Sequence, residues 1–167
     1  RDLIIAIFDA EEPPYFQSEM MGSNRFYLDQ LDDRGVHFAM IHDLVGHDVS
    51  LPFESLPGIG RLPLAGSKDM PLPLVKDALF MTWAESNPAL SRIVGEAGIP
   101  SRIKLAATLN RYISDMSDHG IFRKNGIPYL FFSCGMWAHY HQPTDTPDRF
   151  NYQKIARITD LSWRILH

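Results

Sequence analysis

This chain lacks a basic excess, paired cysteines and long apolar runs, and each absence removes a class of protein. Its 167 residues carry 16 Lys and Arg against 20 Asp and Glu, a net charge of −4. No electrostatic footprint for nucleic acid is present. A single cysteine, Cys134, excludes an internal disulfide framework and leaves the redox compartment open. Set in an apolar stretch before Gly135, it reads as a small core residue. No apolar run reaches the length that spans a bilayer, and the chain holds no internal repeat, low-complexity segment or N-glycosylation sequon. What remains is ordinary for one globular domain with a real core: 45% hydrophobic and 22% charged residues.

Within that ordinary frame the segment Leu3-Ile4-Ile5-Ala6-Ile7-Phe8-Asp9-Ala10 stands out. Rich in β-branched and aromatic residues and too short for a typical helix, it predicts a buried strand. Glu11 and Glu12 follow directly, where open α/β sheets build their ligand crevices. Neighbouring side chains on a strand point to opposite faces, so both carboxylates serve one site only if the backbone turns. Pro13-Pro14 supports such a turn, since proline cannot extend a central strand. A solvated acidic pair at the start of a loop is the other reading. A core strand this close to Arg1 leads us to expect sequence upstream, with residues 1–167 forming the carboxyl-terminal part of a larger catalytic domain.

Further along, Met20, Met21, Phe26, Tyr27 and Leu31 predict a helix within Ser18 to Leu31, ended by Asp32-Asp33-Arg34-Gly35. Val36 to His42 predicts a second strand, closing on Asp43 and Gly46. Residues 49–73 are rich in proline and glycine, and read equally as a pocket-forming loop or a surface insertion. Leu74 to Ser86, Ala89 to Ala97 and Ile103 to Ile113 read as helices. A short helical turn opens at Ser117-Asp118-His119 and ends at Asn125-Gly126. Ile127 to Ser133 is a third apolar strand. From Tyr152 to Leu166 a closing helix is predicted, with Ile155, Ile158, Leu161 and Ile165 on one face. Strands alternating with helices predict an α/β fold: a three-layer α/β/α sandwich with a mostly parallel mixed sheet, incomplete at its amino terminus.

Polar residues collect at the strand ends: Glu11 and Glu12 after the first, Asp43 after the second, His139 and His141 after the third. If the strands run parallel, all reach one edge of the sheet. Carboxylates and imidazoles gathered there are ligands of the kind that hold zinc, with a spare glutamate as base. Ordinary polar strand ends are the alternative. His139 and His141 would share a face if extended, so spacing does not choose between them. His42 would point away from Asp43, as a hydrogen-bonded histidine of the core or of the sheet face. His47 and Asp48 lie just beyond, either supporting the site or exposed, and His119 reads as an exposed histidine at a helix start.

These residues resemble a known family. Asp9-Ala10-Glu11-Glu12 with Met21-Gly22-Ser23 is similar to the D-x-E-E…G-S signature of co-catalytic zinc aminopeptidases. That family includes bacterial leucyl aminopeptidases, glutamate carboxypeptidase and glutaminyl cyclases. Ile41-His42-Asp43-Leu44-Val45-Gly46 resembles its strand ending in a metal-binding aspartate. Ser117-Asp118-His119 with Phe122 and Gly126-Ile127-Pro128 resembles S-D-H-x-x-F…G-I-P, and His141-Gln142-Pro143-Thr144-Asp145-Thr146 resembles H-x-x-x-D-T.

The resemblance implies that Glu11 is the general base and that Glu12, Asp43 and His141 are ligands of one or two Zn2+ ions. It implies a peptide substrate, hydrolysis from the amino terminus, and a secreted or extracytoplasmic setting. Asp145 would orient the ligand loop or simply form a turn, and His119 would lie in a segment that lines the substrate pocket. One departure matters: the family also uses a histidine and a bridging aspartate placed before the glutamate pair, so an upstream segment of the same domain is expected to complete the site. Two alternatives stay open. A single-zinc glutaminyl cyclase would use Glu11 as proton shuttle and Asp43 as its hydrogen-bonding partner, and a peptidase-like binding domain would catalyse nothing.

Overall fold

A computed structural model describes residues 2–31, 35–49, 76–83, 87 and 89–167. Four strands form one mixed sheet: β1 (Ala39–His42), β2 (Ala78–Trp83), β3 (Lys104–Leu109) and β4 (Tyr129–Ser133), in the order β1-β4-β2-β3. β1 pairs parallel with β4, and β2 parallel with β3. The central join, β2 to β4, is antiparallel, with Phe80 opposite Ser133. The beginnings of β2 and β3 therefore lie at the same edge of the sheet as the ends of β1 and β4.

Helices cover both faces, giving the expected α/β sandwich. On one side α2 (Ala89–Ala97) and α4 (Tyr152–Leu166) bring Leu90, Val94, Ile158, Leu161 and Ile165 against Leu79, Met81, Leu130 and Phe132. On the other side α3 (His119–Lys124) supplies Phe122, and the helical segment of α1 (Gly22–Phe26) with the π turn Tyr27–Leu31 supplies Leu31. These pack on Ile41, Tyr129 and Phe131. Alternate residues of β4 thus serve opposite cores, which is why the strand is buried throughout and apolar up to Ser133. Cys134, just beyond it, is fully buried and free, as expected of a small core residue.

Three sequence expectations fail. Leu3 to Ala10 forms no strand: Ile5 is 83% and Ile7 96% exposed, because no described strand pairs with this segment. Of the helix expected over Leu74 to Ser86, the described residues form a turn at Lys76-Asp77 and then β2. Ala78, Leu79, Met81 and Thr82 are buried on both faces of the sheet, and a short apolar run of this kind has no periodicity to separate strand from helix. Ile103 to Ile113 is likewise β3 followed by a 3-10 turn at Asn110–Tyr112. Its Ala and Leu content favours helix, but pairing along β2 overrides that local preference. The predicted helix at Ser18 to Leu31 begins only at Gly22. The loop expected at 49–73 lies outside the described residues, apart from Val49, which is buried. No helix among the described residues is long and apolar enough to cross a membrane.

Candidate functional site

The site is built at the shared edge by chain segments far apart in sequence. The Asp43 N–H donates to Phe132 O at 3.1 Å, and the Cys134 N–H to Leu44 O at 2.8 Å, so the ladder continues past the ends of β1 and β4. The Glu11-Glu12 segment reaches the same edge without being a strand. What anchors it is Gly22, whose N–H donates to Asp9 O at 3.0 Å. A Cβ on Gly22 would stand 2.5 Å from that carbonyl oxygen, so only glycine lets the helix start come this close. The spacing between the acidic pair and Gly22-Ser23 has a steric cause.

At that edge Glu12 Oε1 and His141 Nε2 meet at 2.7 Å, with both side chains more than half exposed. Spacing left His139 and His141 undecided; the geometry separates them. His139 turns instead to Thr144, with its Nδ1 2.8 Å from Oγ1, and sets its ring edge-on to Trp137. Glu11 lies close enough to Asp43, Glu12 and Asp118 to feel all three charges. Its carboxyl is pushed up to about 7, by burial first and then by these neighbours. Asp118 is raised by burial and then by Asp43. Tyr140 is raised by burial and then by Glu12, Asp43 and Glu11. Four carboxyl groups and one phenol thus share a single field. Asp118 and Tyr140 had no assigned role in the sequence reading; Asp118 sat in a motif, while Tyr140 left no signal beyond adjoining His141.

Three of the seven described non-glycine residues with left-handed backbone flank or form this place. Ala10, Leu44 and His141 adopt φ of 53°, 52° and 56°, in the left-handed region that favours glycine. They precede Glu11, follow Asp43 and are the imidazole itself. Non-glycine residues persist in such conformations where surrounding structure holds them, which happens most often at functional sites.

A metal implied by the resemblance can be tested against these donors. Their chemistry suits zinc, which accepts carboxylate oxygen and imidazole nitrogen. Their number falls short: among the described residues no three His, Cys, Asp or Glu side chains gather closely enough to hold an ion. Glu12 and His141 are the pair in contact, while Asp43 is a neighbour through its charge.

Other polar residues support the edge. The ammonium of Lys154, fully buried, donates to His47 O at 2.5 Å and Asp48 Oδ1 at 3.2 Å. His47 Nε2 donates to Gly135 O, also at 2.5 Å, and its ring stacks on Trp137 with centroids 4.8 Å apart. Rather than being exposed, His47 and Asp48 tie the segment after β1 to α4 and to the segment after β4. His42 lies on the face of the sheet, still exposed, with its ring stacked on Phe132 and its Nε2 2.8 Å from Ser162 Oγ. The reading of His119 as an exposed helix-start residue is corrected: it is fully buried, and its Nε2 donates to Asn110 Oδ1 and Ser114 O. Asp145 forms a turn, its N–H donating to Gln142 O at 2.9 Å.

Comparison with known proteins bears on the family, and not on Glu11, Glu12 or Asp43, which precede the residues of the family match. A family model described as Peptidase family M28 matches residues 65–166, which include Asp118 and His141. A curated relative, the uncharacterized protein YfbL of Escherichia coli (strain K12), is 27% identical over 163 residues, covering 93% of this chain and 48% of its own length. The chain spans about half the length of the curated relative it matches. No solved structure matches it. With the family model covering more than half of its residues, the chain belongs to peptidase family M28.

Proposed function

We propose that this chain carries the hydrolytic centre of a zinc-dependent exopeptidase of the aminopeptidase type. Glu11 is the general base, and Glu12, Asp43 and His141 are metal ligands. The observation that carries the reading is the 2.7 Å contact between Glu12 and His141, set beside a glutamate whose carboxyl is pushed up to about 7. A zinc ion, when bound, supplies a Lewis acid and lowers the pKa of water.

The protein's own groups do the rest. Glu11 takes a proton from the attacking water at its carboxylate and returns it to the leaving amine. A carboxyl group that titrates near neutrality suits both steps, because neither proton transfer is then strongly uphill. Burial first, and then the charges of Asp43, Glu12 and Asp118, keep Glu11 in that range. The half-exposed Glu12 and His141 leave the site open to a peptide end. The described residues supply too few donors to fill a zinc shell, so further donors are required from elsewhere in the domain.

The test uses the full-length protein and amino-acid p-nitroanilides. Hydrolysis should stop with a strong chelator, return with zinc, and fall about 100-fold or more in Glu11→Gln. Hydrolysis indifferent to chelator, or unchanged in Glu11→Gln, would overturn the mechanism. Cyclisation of glutaminyl peptides with one zinc bound, and zinc binding untouched by Asp43→Asn, would point to the cyclotransferase instead.

A further inference from the structure

A concave feature opens on the same edge of the sheet, beyond β4. It is a cavity of about 370 Å3 lined by Lys76, Asp77, Arg102, Asn151, Gln153 and Arg157. Lys76 immediately precedes Asp77 and the start of β2, Arg102 lies two residues before β3, and Arg157 projects from α4. The parallel register that sets Ala78 opposite Lys104 holds the first two cations side by side. Asp77 and Arg102 both adopt left-handed φ, 63° and 65°, where the chain turns into these strands.

Charge makes this cavity unusual. The chain as a whole carries −4, yet three cations converge here against one carboxylate. Among the described residues none of the three stands in an ion pair, although Arg25, Arg92, Arg123 and Arg164 each pair with a carboxylate. Like charges drawn together without neutralisation repel one another, and an anion would offset that cost. Two guanidinium groups favour planar, doubly accepting anions such as carboxylates. The volume is at the lower end for a small-ligand site.

Its place says which carboxylate. Asp48 Oδ1 accepts both the Asp77 N–H at 2.9 Å and the Lys154 ammonium, so the segment following Asp43 is fastened to the cavity wall. From the β1/β4 rim to the β2/β3 rim is roughly two strand spacings, about 10 Å. An extended peptide covers that in about three residues. Resting on the peptidase reading above, we propose that Lys76, Arg102 and Arg157 bind an acidic group of the peptide substrate, about three or more residues beyond the bond that is cut. The protein therefore prefers peptides with downstream carboxylates.

Binding and turnover separate this inference from the reading beneath it. Titration calorimetry on full-length Glu11→Gln would compare Leu-Gly-Gly-Gly-Asp-Asp with Leu-Gly-Gly-Gly-Asn-Asn amide, and with free glutarate. The acidic peptide should bind about tenfold or more tightly than the neutral one, and Arg102→Gln/Arg157→Gln should abolish the difference. With Glu11 intact, the same double variant should raise KM for the acidic peptide, leaving kcat and the neutral peptide unchanged. Equal binding of the two peptides, or a preference that survives the double variant, would refute the proposal. Glutarate binding as tightly as the acidic peptide also counts against it, because it would mean a site for small anions unconnected to substrate. An acid preference in binding with no hydrolysis of either peptide would defeat the peptidase reading while leaving the carboxylate site standing.

Discussion

His141 Nε2 lies 2.7 Å from Glu12 Oε1, although 129 residues separate them in the chain. Both groups are more than half exposed, and an exposed pair of this kind contributes only about 0–1 kcal/mol to folding. If the pair exists for metal, its loss should cost binding and not stability. We expect Glu12→Gln and His141→Ala each to weaken zinc binding by about 100-fold or more, since even groups that merely support a ligand are worth 10–100-fold. Melting temperatures without metal should stay near wild type. Competition with a zinc-responsive dye, alongside thermal melts, checks both halves.

Glu11 yields a pH prediction. Its carboxyl is raised in the folded chain from 4.5 to about 7, so the folded state favours the protonated form. Such a group stabilises fully below pH 4.5 and loses that contribution as pH rises through about 7. In chelator-treated protein, Glu11→Gln should therefore melt higher than wild type at pH 8, and the gap should shrink towards pH 4.5. A gap of the same size at both ends would show that the carboxylate is not under strain.

Three histidines act in the opposite sense. His42, His47 and His119 are held below 6.5, in each case chiefly by burial. Their contribution is present above pH 6.5 and is lost as pH falls through their lower folded values, because the unfolded chain then binds more protons. Urea midpoints should drop between pH 7 and pH 5. His119→Gln, at a fully buried position whose Nδ1 has no partner among the described residues, should lower the midpoint at pH 7 yet flatten its dependence on pH.

Lys154 and Asp48 allow a comparison of two removals. Asp48→Asn keeps an acceptor for the Asp77 N–H but leaves a fully buried ammonium facing only neutral groups. We expect it to cost about 2–4 kcal/mol. Lys154→Met removes the buried charge itself and leaves behind an aspartate that is about one-third exposed, so its cost should be smaller, about 1–2 kcal/mol. Denaturant melts of the two variants decide the order.

Much of this molecule is legible in its sequence, for identifiable reasons. The closing helix and α2 carry strong apolar periodicity, and Tyr129–Ser133 is too apolar to lie anywhere but in the middle of a sheet. β2 and β3 escape because their identity depends on neighbours: a short run buried on both faces has no period, and Ala-rich Lys104–Leu109 leans towards helix until it is paired. Leu3 to Ala10 has the composition of a strand, but hydrogen bonding to another strand makes a strand, and composition does not supply it. At the site, the acidic pair, Asp43 and His141 can be picked out by type and motif. The parts played by Asp118 and Tyr140 cannot, because they rest on proximity through a shared electric field.

The reversed direction of β2 has one more effect. In an all-parallel sheet only the segments following strands would reach a given rim, so one set of loops would have to provide both reactivity and discrimination. Here the entry into β2 arrives at the rim that receives the exit from β4. Two separately connected sets of residues, those entering β2 and β3 and those leaving β1 and β4, thus face the same space.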